Sequence, residues 1–366
     1  MRMLKHHKTN SSRNRNISAF DAISKSQEIV YSPMIFQTVY VLVNHNILKF
    51  IEDCKNGIAF NDLIKKTDFN DYALGLLLDV AVSASIIYLD DNGLYHLSKI
   101  GYFLQNDRMT RISLDFVKHV CYRGLDSLED SLLTLKPCGL KDINKSWQTI
   151  YPHLSELPPN AQQAWFAWDH FYSQTSFLNA IKIIDSSIKP RMVYDIGGNT
   201  GDFARTYLQY NHNIKVKILD LPSQIRLSKE NFKDNNYNGR IDFEEIDILT
   251  HSFTEKCSAD VIWLSQFLDC FAKEHIAMIL KNLNDFMRDD TVLCILEPIA
   301  DRQKFDAARL SINCGSLYFN TIANGYSKFL STKELELLLL DNGFKIVDIY
   351  DELGVSNSMF VCSKKT

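Results

Sequence analysis

Three aspartates close three successive apolar runs in the second half of the chain: Asp195 in MVYDIG, Asp220 in KILDL and Asp247 in IDIL. Directly after the first, Gly197, Gly198 and Gly201 crowd into five positions. A loop of this kind turns sharply and lets a ligand approach the backbone where no Cβ intervenes. A dinucleotide loop spaces its glycines G-x-G-x-x-G and rests a pyrophosphate on a helix N-terminus. Gly197-Gly198-Asn199-Thr200-Gly201 does not fit that spacing, and Asp195 would repel a pyrophosphate.

A cationic ligand reverses the sign. S-adenosylmethionine carries a sulfonium and an ammonium, which Asp195 would attract. Asp220 can accept hydrogen bonds from both ribose hydroxyls, and Asp247 from the adenine amine. A strand-to-helix turn with no ligand remains the alternative for the glycines alone, but three acids at successive strand ends form one array. The expected cofactor set is Asp195, Gly197, Gly198, Gly201, Asp220, Leu221, Asp247, Ile248 and Ser265.

Those acids need strands to hold them. From about residue 181 strand-like runs recur: MVYDIG, KVKILDL, IDFEEIDI, ADVIWLS, TVLCILE, KIVDIYDEL and SMFVCSK. KEHIAMILKNLNDFMR and STKELELLLLDNGF read as helices, the second stopped by Asn342-Gly343. Alternation of this kind predicts an α/β domain, a Rossmann-like, seven-stranded, mostly parallel sheet with helices on both faces, over 181–366. Upstream, residues 18–110 read as helices ending in a hairpin, with Asn61 and Asn70 as helix caps and IIYLDDNGLYHLS turning at Asp-Asn-Gly. That is the winged-helix pattern. The helix that would enter a DNA groove, DYALGLLLDVAVSA, carries two acids and no base, so an interaction role is expected there rather than nucleic-acid binding. Residues 111–180 read as a helical connecting region lining an acceptor pocket, with loops at KPCGLKDINKSW and SELPPNAQQ.

Composition agrees with a globular two-domain chain of 366 residues and net charge −4. The eight cysteines form no C-x-x-C pair, so no metal is expected and a reducing, cytoplasmic compartment is the simpler reading. The first sixteen residues are basic and lack an apolar stretch, and residues 1–17 read as a disordered tail. The most apolar segment, 29–50, is interrupted by polar residues, so no membrane span is expected.

The set VYDIGGNTGDFA, ILDLP, DIL, VIWLSQFLDCFAKEH, ILEP and LLLLDNGF, following GLYHLSKIGYFL, resembles the class I S-adenosylmethionine-dependent methyltransferases. More narrowly, it resembles the two-domain O-methyltransferases with a winged-helix dimerisation domain. The resemblance implies a homodimer, with part of each N-terminal domain reaching the partner's acceptor pocket. It also implies a histidine base after the fourth strand, in Leu-His-Asp-Trp. Here the stretch reads Leu268-Asp269-Cys270-Phe271, so Asp269 stands where that histidine is expected, while Glu297 in ILEP is retained and Phe329 replaces a second family acid. His275 falls at an ordinary helix position.

A phenol with a pKa of about 10 is separated from an ordinary Asp by roughly six units and from His by about 3.5. Asp269 is therefore a weak base unless burial raises its pKa. AWFAWDHFYS supplies another candidate, His170, oriented by Asp169 or Asp269, with Trp168 and Tyr172 beside it. The alternative is that His170 and its aromatic neighbours are core. The expected catalytic residues are Asp269, His170 and Glu297, and the expected acceptor contacts Trp168, Asp169, Tyr172, Gln266 and Cys270.

DHFYS, SQFLDCF and SLYFNTIANGYSKF also resemble methyltransferases of aryl polyene pathways. That implies a small aromatic acceptor, a phenolic ring on a conjugated acyl chain, free or borne by a carrier protein. Phe271, Tyr318, Phe319, Tyr326 and Phe329 could line its pocket or pack as core. The expected reaction is O-methylation of a phenolic or polyketide-like molecule of secondary metabolism. Carbon methylation beside a phenol and a non-catalytic cofactor-binding protein are the alternatives, with a DNA-binding regulator as a third class.

Overall fold

The structure, a computed structural model, describes residues 17–233, 237 and 239–365. The basic tail read at 1–17 lies, apart from Ile17, outside the described residues. The chain forms two compact units, Met1–Lys118 and His119–Thr366.

The first unit contains α1 (Ala19–Asn44), α2 (Ile47–Glu52), α3 (Phe60–Leu63), α4 (Asp71–Ser83), β1 (Ile87–Leu89), β2 (Tyr95–Leu97), α5 (Lys99–Asn106) and α6 (Arg108–Phe116). Asn70 caps α4, its side chain accepting from the Ala73 amide at 2.8 Å. Asn61 does not cap. It lies inside α3, whose N-cap is Ala59, two residues earlier than the polar side chain suggested. The β1–β2 hairpin turns at Asp90, which accepts from the Asn92 and Leu94 amides. Leu42, Leu48, Leu63, Leu74, Leu78 and Ile87 build one core. The N-terminal part of α1 instead exposes Phe20, Ile23, Ile29, Val30, Tyr31 and Met34.

The second unit contains α7 (Leu128–Thr134), α8 (Pro159–Ser187), β3 (Met192–Ile196), α9 (Asp202–Tyr210), β4 (Lys215–Asp220), α10 (Pro222–Phe232) and β5 (Ile241–Glu245). Then follow β6 (Val261–Ser265), α11 (Lys273–Phe286), β7 (Val292–Pro298), α12 (Asp306–Tyr318), α13 (Thr332–Asp341), β8 (Phe344–Leu353) and β9 (Asn357–Lys364). Part of the loop expected at SELPPNAQQ is helix, because Pro159 starts α8 and proline suits a first helical position.

The seven strands form one sheet in the order β5-β4-β3-β6-β7-β9-β8. β3 to β7 run parallel, and β9 enters antiparallel between β7 and β8. Successive residues alternate between two cores: Val261 and Trp263 join Phe203, Tyr207 and Ile184, while Ile262 and Leu264 join Ile279, Leu283 and Leu335. After β5 the chain returns to the other side of β3. The strand order therefore reverses between β3 and β6, and ligand crevices of open α/β sheets lie at such a reversal.

Candidate functional site

The glycine loop leaves β3 at that reversal. Gly197 has φ +74°, and a Cβ there would lie 2.2 Å from the Phe267 ring. The chain can pass under Phe267 only without a side chain. Gly201, with φ +85°, opens α9, and its amide donates to Gly198 O at 2.8 Å. Asp220 holds the loop from the neighbouring strand end: one oxygen accepts from the Asn199 amide at 2.8 Å, the other from Leu221 at 2.7 Å. Burial raises the Asp220 carboxyl to about 6 against these two donors. Asp195 is pushed well above the usual carboxylate range, first by burial and then by the charge of Asp220. Its Oδ2 is buried without a partner.

Two cavities open on this loop. The larger, about 360 Å³, includes Asp220, Leu221, Gln224, Asp247, Ile248 and Asp269 in its wall. Its aromatic part holds Trp168, Phe267 and all five aromatics singled out in the sequence, Phe271, Tyr318, Phe319, Tyr326 and Phe329. The smaller, about 70 Å³, includes Asp195, Gly198, Thr200, His170 and Ser265. Asp169, Gly197, Asn199 and Gln266 line both. Asn199 and Gln266 hold φ of +48° and +46°, a left-handed conformation costly for non-glycine residues that clusters at functional sites.

Buried polar atoms without partners belong to residues lining these cavities: Asp195 Oδ2, Trp263 Nε1 and Ser265 Oγ around the smaller, Gln224 Oε1 and Thr149 Oγ1 in the larger, and Asn199 Oδ1 between them. Each such atom costs about 1–3 kcal/mol if left unmatched. A ligand carrying a cationic amino-acid end, ribose hydroxyls and an amino-substituted base supplies matching groups. The residues present therefore fit S-adenosylmethionine. Asp247 turns part of its capacity inward, its Oδ1 accepting from the Leu249 amide.

After β6 stands Asp269, where the family resemblance implies a histidine. That side chain is buried, and it accepts hydrogen bonds from the Glu297 carboxyl and, at 3.4 Å, from Cys270 Sγ. Burial and the charge of Asp169 push Asp269 up to about 7. Glu297 is raised well beyond the carboxylate range, by burial first and the Asp269 charge second. One oxygen of Glu297 also receives the Phe267 and Leu268 amides at 3.0 and 2.9 Å. Glu297 thus fixes the turn that carries Asp269 and keeps a proton between the two acids, since two buried carboxylates in contact cannot both ionise. Glu297 is not part of the cavity wall.

Helix α8 divides its candidates. Asp169 faces both cavities, and the next residue, His170, faces only the smaller. His170 Nε2 stands 3.4 Å from Thr200 Oγ1 and 3.8 Å from Asp202 Oδ2. Adjacent helical residues point about 100° apart, so the two meet only at the smaller cavity and Asp169 alone reaches the larger. Tyr172 is buried outside both walls, its carbonyl accepting from Asn357 Nδ2 at 2.8 Å. Trp168 and Cys270 line the larger cavity, and Gln266 lines both. Among the wall residues that escaped the sequence reading are Asn199, Phe267, Gln224 and Tyr151. Gln224 was within reach, since it lies one helical turn beyond Asp220.

All eight cysteines are free thiols. Among the described residues, no helix is long and apolar enough to cross a membrane, and no cluster of three His, Cys, Asp or Glu is arranged to hold a metal ion.

Residues 24–94 match a Dimerisation2-like domain, and residues 172–345 match an O-methyltransferase domain. The L-tyrosine C(3)-methyltransferase of Streptomyces lavendulae is 23% identical over 259 residues, 70% of this chain and 69% of that protein. The apo structure of the S-adenosylmethionine-dependent methyltransferase SibL aligns with a TM-score of 0.73 at 16% identity, over 94% of this chain and 100% of that one. The mitomycin 7-O-methyltransferase MmcR gives 0.70 at 15%, over 96% and 99%. Likeness at such identity speaks for the fold, and the two domain matches speak for the family. The chain belongs to the S-adenosylmethionine-dependent methyltransferases that join a Dimerisation2-like domain to an O-methyltransferase domain.

Proposed function

We propose that this methyltransferase acts on the oxygen of a phenolic or polyketide-like small molecule, with Asp269 as general base. One observation carries the reading: burial and neighbouring charge lift Asp269 to about 7, close to the ordinary value of the histidine it replaces. The gap to a phenol narrows from roughly six units to about three. A base so matched contributes about 10²- to 10⁴-fold to the rate.

S-adenosylmethionine supplies an electrophilic methyl group when bound. The chain does the rest. Asp220, Leu221, Asp247 and Ile248 hold the adenosyl end; Gly197, Gly198 and Gly201 shape the loop; Asp195 and Ser265 face the amino-acid end. Trp168, Asp169, Gln266 and Cys270 contact the acceptor, and Glu297 positions Asp269. His170 sits with the cofactor's amino-acid end in this scheme, and Tyr172 supports α8 from behind. Asp269 would hold the phenolic proton, and the aromatic wall would keep water from the acceptor. Holding the reactants in line supplies most of the acceleration.

The chain is read as a cytoplasmic homodimer paired through its N-terminal domain, whose α1 exposes the apolar residues for such contact. Presentation of the acceptor on a carrier protein belongs to the same proposal. A second reading has its own support: the curated relative named above methylates carbon, so attack from the ring position beside the phenolate uses the same base. Single-turnover reactions with labelled S-adenosylmethionine and a panel of phenols test both. A methyl ether supports oxygen attack, a ring methyl supports carbon attack, and no transfer from a protein that binds S-adenosylhomocysteine removes both.

A further inference from the structure

The larger cavity is sorted by charge. Its wall holds four carboxylates, Asp169, Asp220, Asp247 and Asp269, and among the described residues no lysine, arginine or histidine. No cation stands near enough to lower Asp269 or Asp220, and the neighbours that act on Asp269 are Glu297, Cys270 and Asp169; His170 acts on Asp169 alone of the wall acids, from the smaller cavity. The basic group of this region, His170, faces the smaller cavity. A bound cofactor adds positive charge at the methyl donor, but its own carboxylate belongs at the amino-acid end, on the His170 side.

An acceptor entering the aromatic part of the larger cavity therefore meets Trp168, Tyr318, Phe329 and the acids Asp169 and Asp269. A free carboxylate on that acceptor would be desolvated with no cation to pair it. It would also act against Asp269 directly, because a second anion disfavours the ionised form that the base needs. We infer that the acceptor is a phenol bearing no free carboxylate or phosphate: the second substituent is neutral, as in an amide, ester or thioester, or positively charged, as in an amine. This rests on the phenol reading above and narrows its substrate class.

The test is calorimetric and uses the full chain. Titration with S-adenosylhomocysteine comes first and fixes the cofactor site independently. With that site filled, two matched pairs follow: 4-hydroxycinnamamide against 4-hydroxycinnamate, and tyramine against 3-(4-hydroxyphenyl)propionate. The expected result is at least ten-fold tighter binding of the uncharged or cationic member in each pair. An acid that binds as tightly as its partner overturns the inference. So does silence from all four compounds in protein that has bound S-adenosylhomocysteine, while failure of S-adenosylhomocysteine itself counts against the cofactor assignment instead. Tyr326 lines the wall and is 44% exposed, so Tyr326→Arg places a cation there without a large core change. That variant should tighten binding of the acids several-fold and leave S-adenosylhomocysteine unaffected. Unchanged acid affinity would mean that charge is not what the cavity reads.

Discussion

The two cavities share a wall at Asp169, Gly197, Asn199 and Gln266, yet they solve opposite problems. The smaller is polar and unmatched, with Asp195 Oδ2, Asn199 Oδ1 and Ser265 Oγ waiting for partners. The larger is an aromatic chamber that also leaves Gln224 Oε1, Thr149 Oγ1 and the shared Asn199 Oδ1 without partners, while its key acid, Asp269, already has two donors, Glu297 and Cys270. Unmatched polar atoms mark where a ligand must bring complementary groups. A satisfied acid with raised proton affinity beside the aromatic wall, as Asp269 is, marks where a proton is to be moved, whereas Asp220, also raised, is tied to the glycine loop. The difference separates binding from chemistry within one crevice, and each substitution below weakens one side while sparing the other.

The largest effect is expected at the chemical side. Asp269→Asn keeps the volume and removes the base, so turnover should fall by about 10²- to 10⁴-fold. Affinity for S-adenosylhomocysteine should stay within a factor of three of the wild type, a bound set by the rate-against-binding split. In the wild type, turnover should rise with pH to a plateau above about 7, and the variant should lose that limb. Stability supplies a second reading. The folded carboxyl is raised above its unfolded value of about 3.9, so the native state binds more protons between that value and about 7. Stability therefore declines as pH rises through this window. Asp269→Asn lacks the penalty and should melt higher than the wild type at pH 8. An unchanged pH–rate profile in the variant would hand the proton to another group.

Next comes the binding side. Gly197→Val forces a branched side chain into a φ of +74° and against Phe267. Backbone strain of about 1–3 kcal/mol, with displacement of the ring, should weaken S-adenosylhomocysteine by roughly a hundred-fold. Phe267→Ala in addition should recover only the steric part, since the backbone strain persists. Calorimetry on both variants separates the two contributions.

A smaller loss is expected for Asp220→Asn. The carboxylate receives the Asn199 and Leu221 amides, and an amide in its place turns one acceptor into a donor. Hydrogen bonds to a charged group are worth about 1.5–3 kcal/mol, so affinity should drop by about ten-fold or more. The wild type should mimic part of this loss in acid: Asp220 is raised to about 6, and affinity should fall as pH moves from 7 to 5. Cofactor affinity that is flat across that range would remove Asp220 from the ribose.

The same division explains what could be read without coordinates. All seven strands and the acids at the ends of the first two were legible, because a strand end is fixed by where an apolar run stops. The five aromatics named as pocket or core proved to be wall, since a cavity in an α/β unit is lined by the residues that would otherwise fill a core. Local chemistry failed at Asn61, where the cap of α3 falls two residues earlier, at Ala59. It could not foresee that Glu297 would bond the Phe267 and Leu268 amides, because that contact joins turns thirty residues apart. Burial also hid the basicity of Asp269: the residue type gives an ordinary carboxylate, and only the packed surroundings raise it.

Helix phase was the other thing the letters concealed, and it sets the smallest expected effect. DHFYS presents an acid and a histidine side by side, and either could have faced the acceptor. In α8 the register sends Asp169 to both cavities and turns His170 toward Thr200 and Asp202 at the smaller one. A histidine there can steady the loop and the cofactor's amino-acid end but has no access to the phenolic proton. His170→Ala should therefore leave the rate of the chemical step within about three-fold of the wild type, far short of the 10²- to 10⁴-fold carried by a base. Its effect should appear as a modest weakening of S-adenosylmethionine, in KM rather than kcat. Single-turnover rates at saturating cofactor decide the matter: a hundred-fold loss would restore His170 as the base and leave Asp269 to orient it.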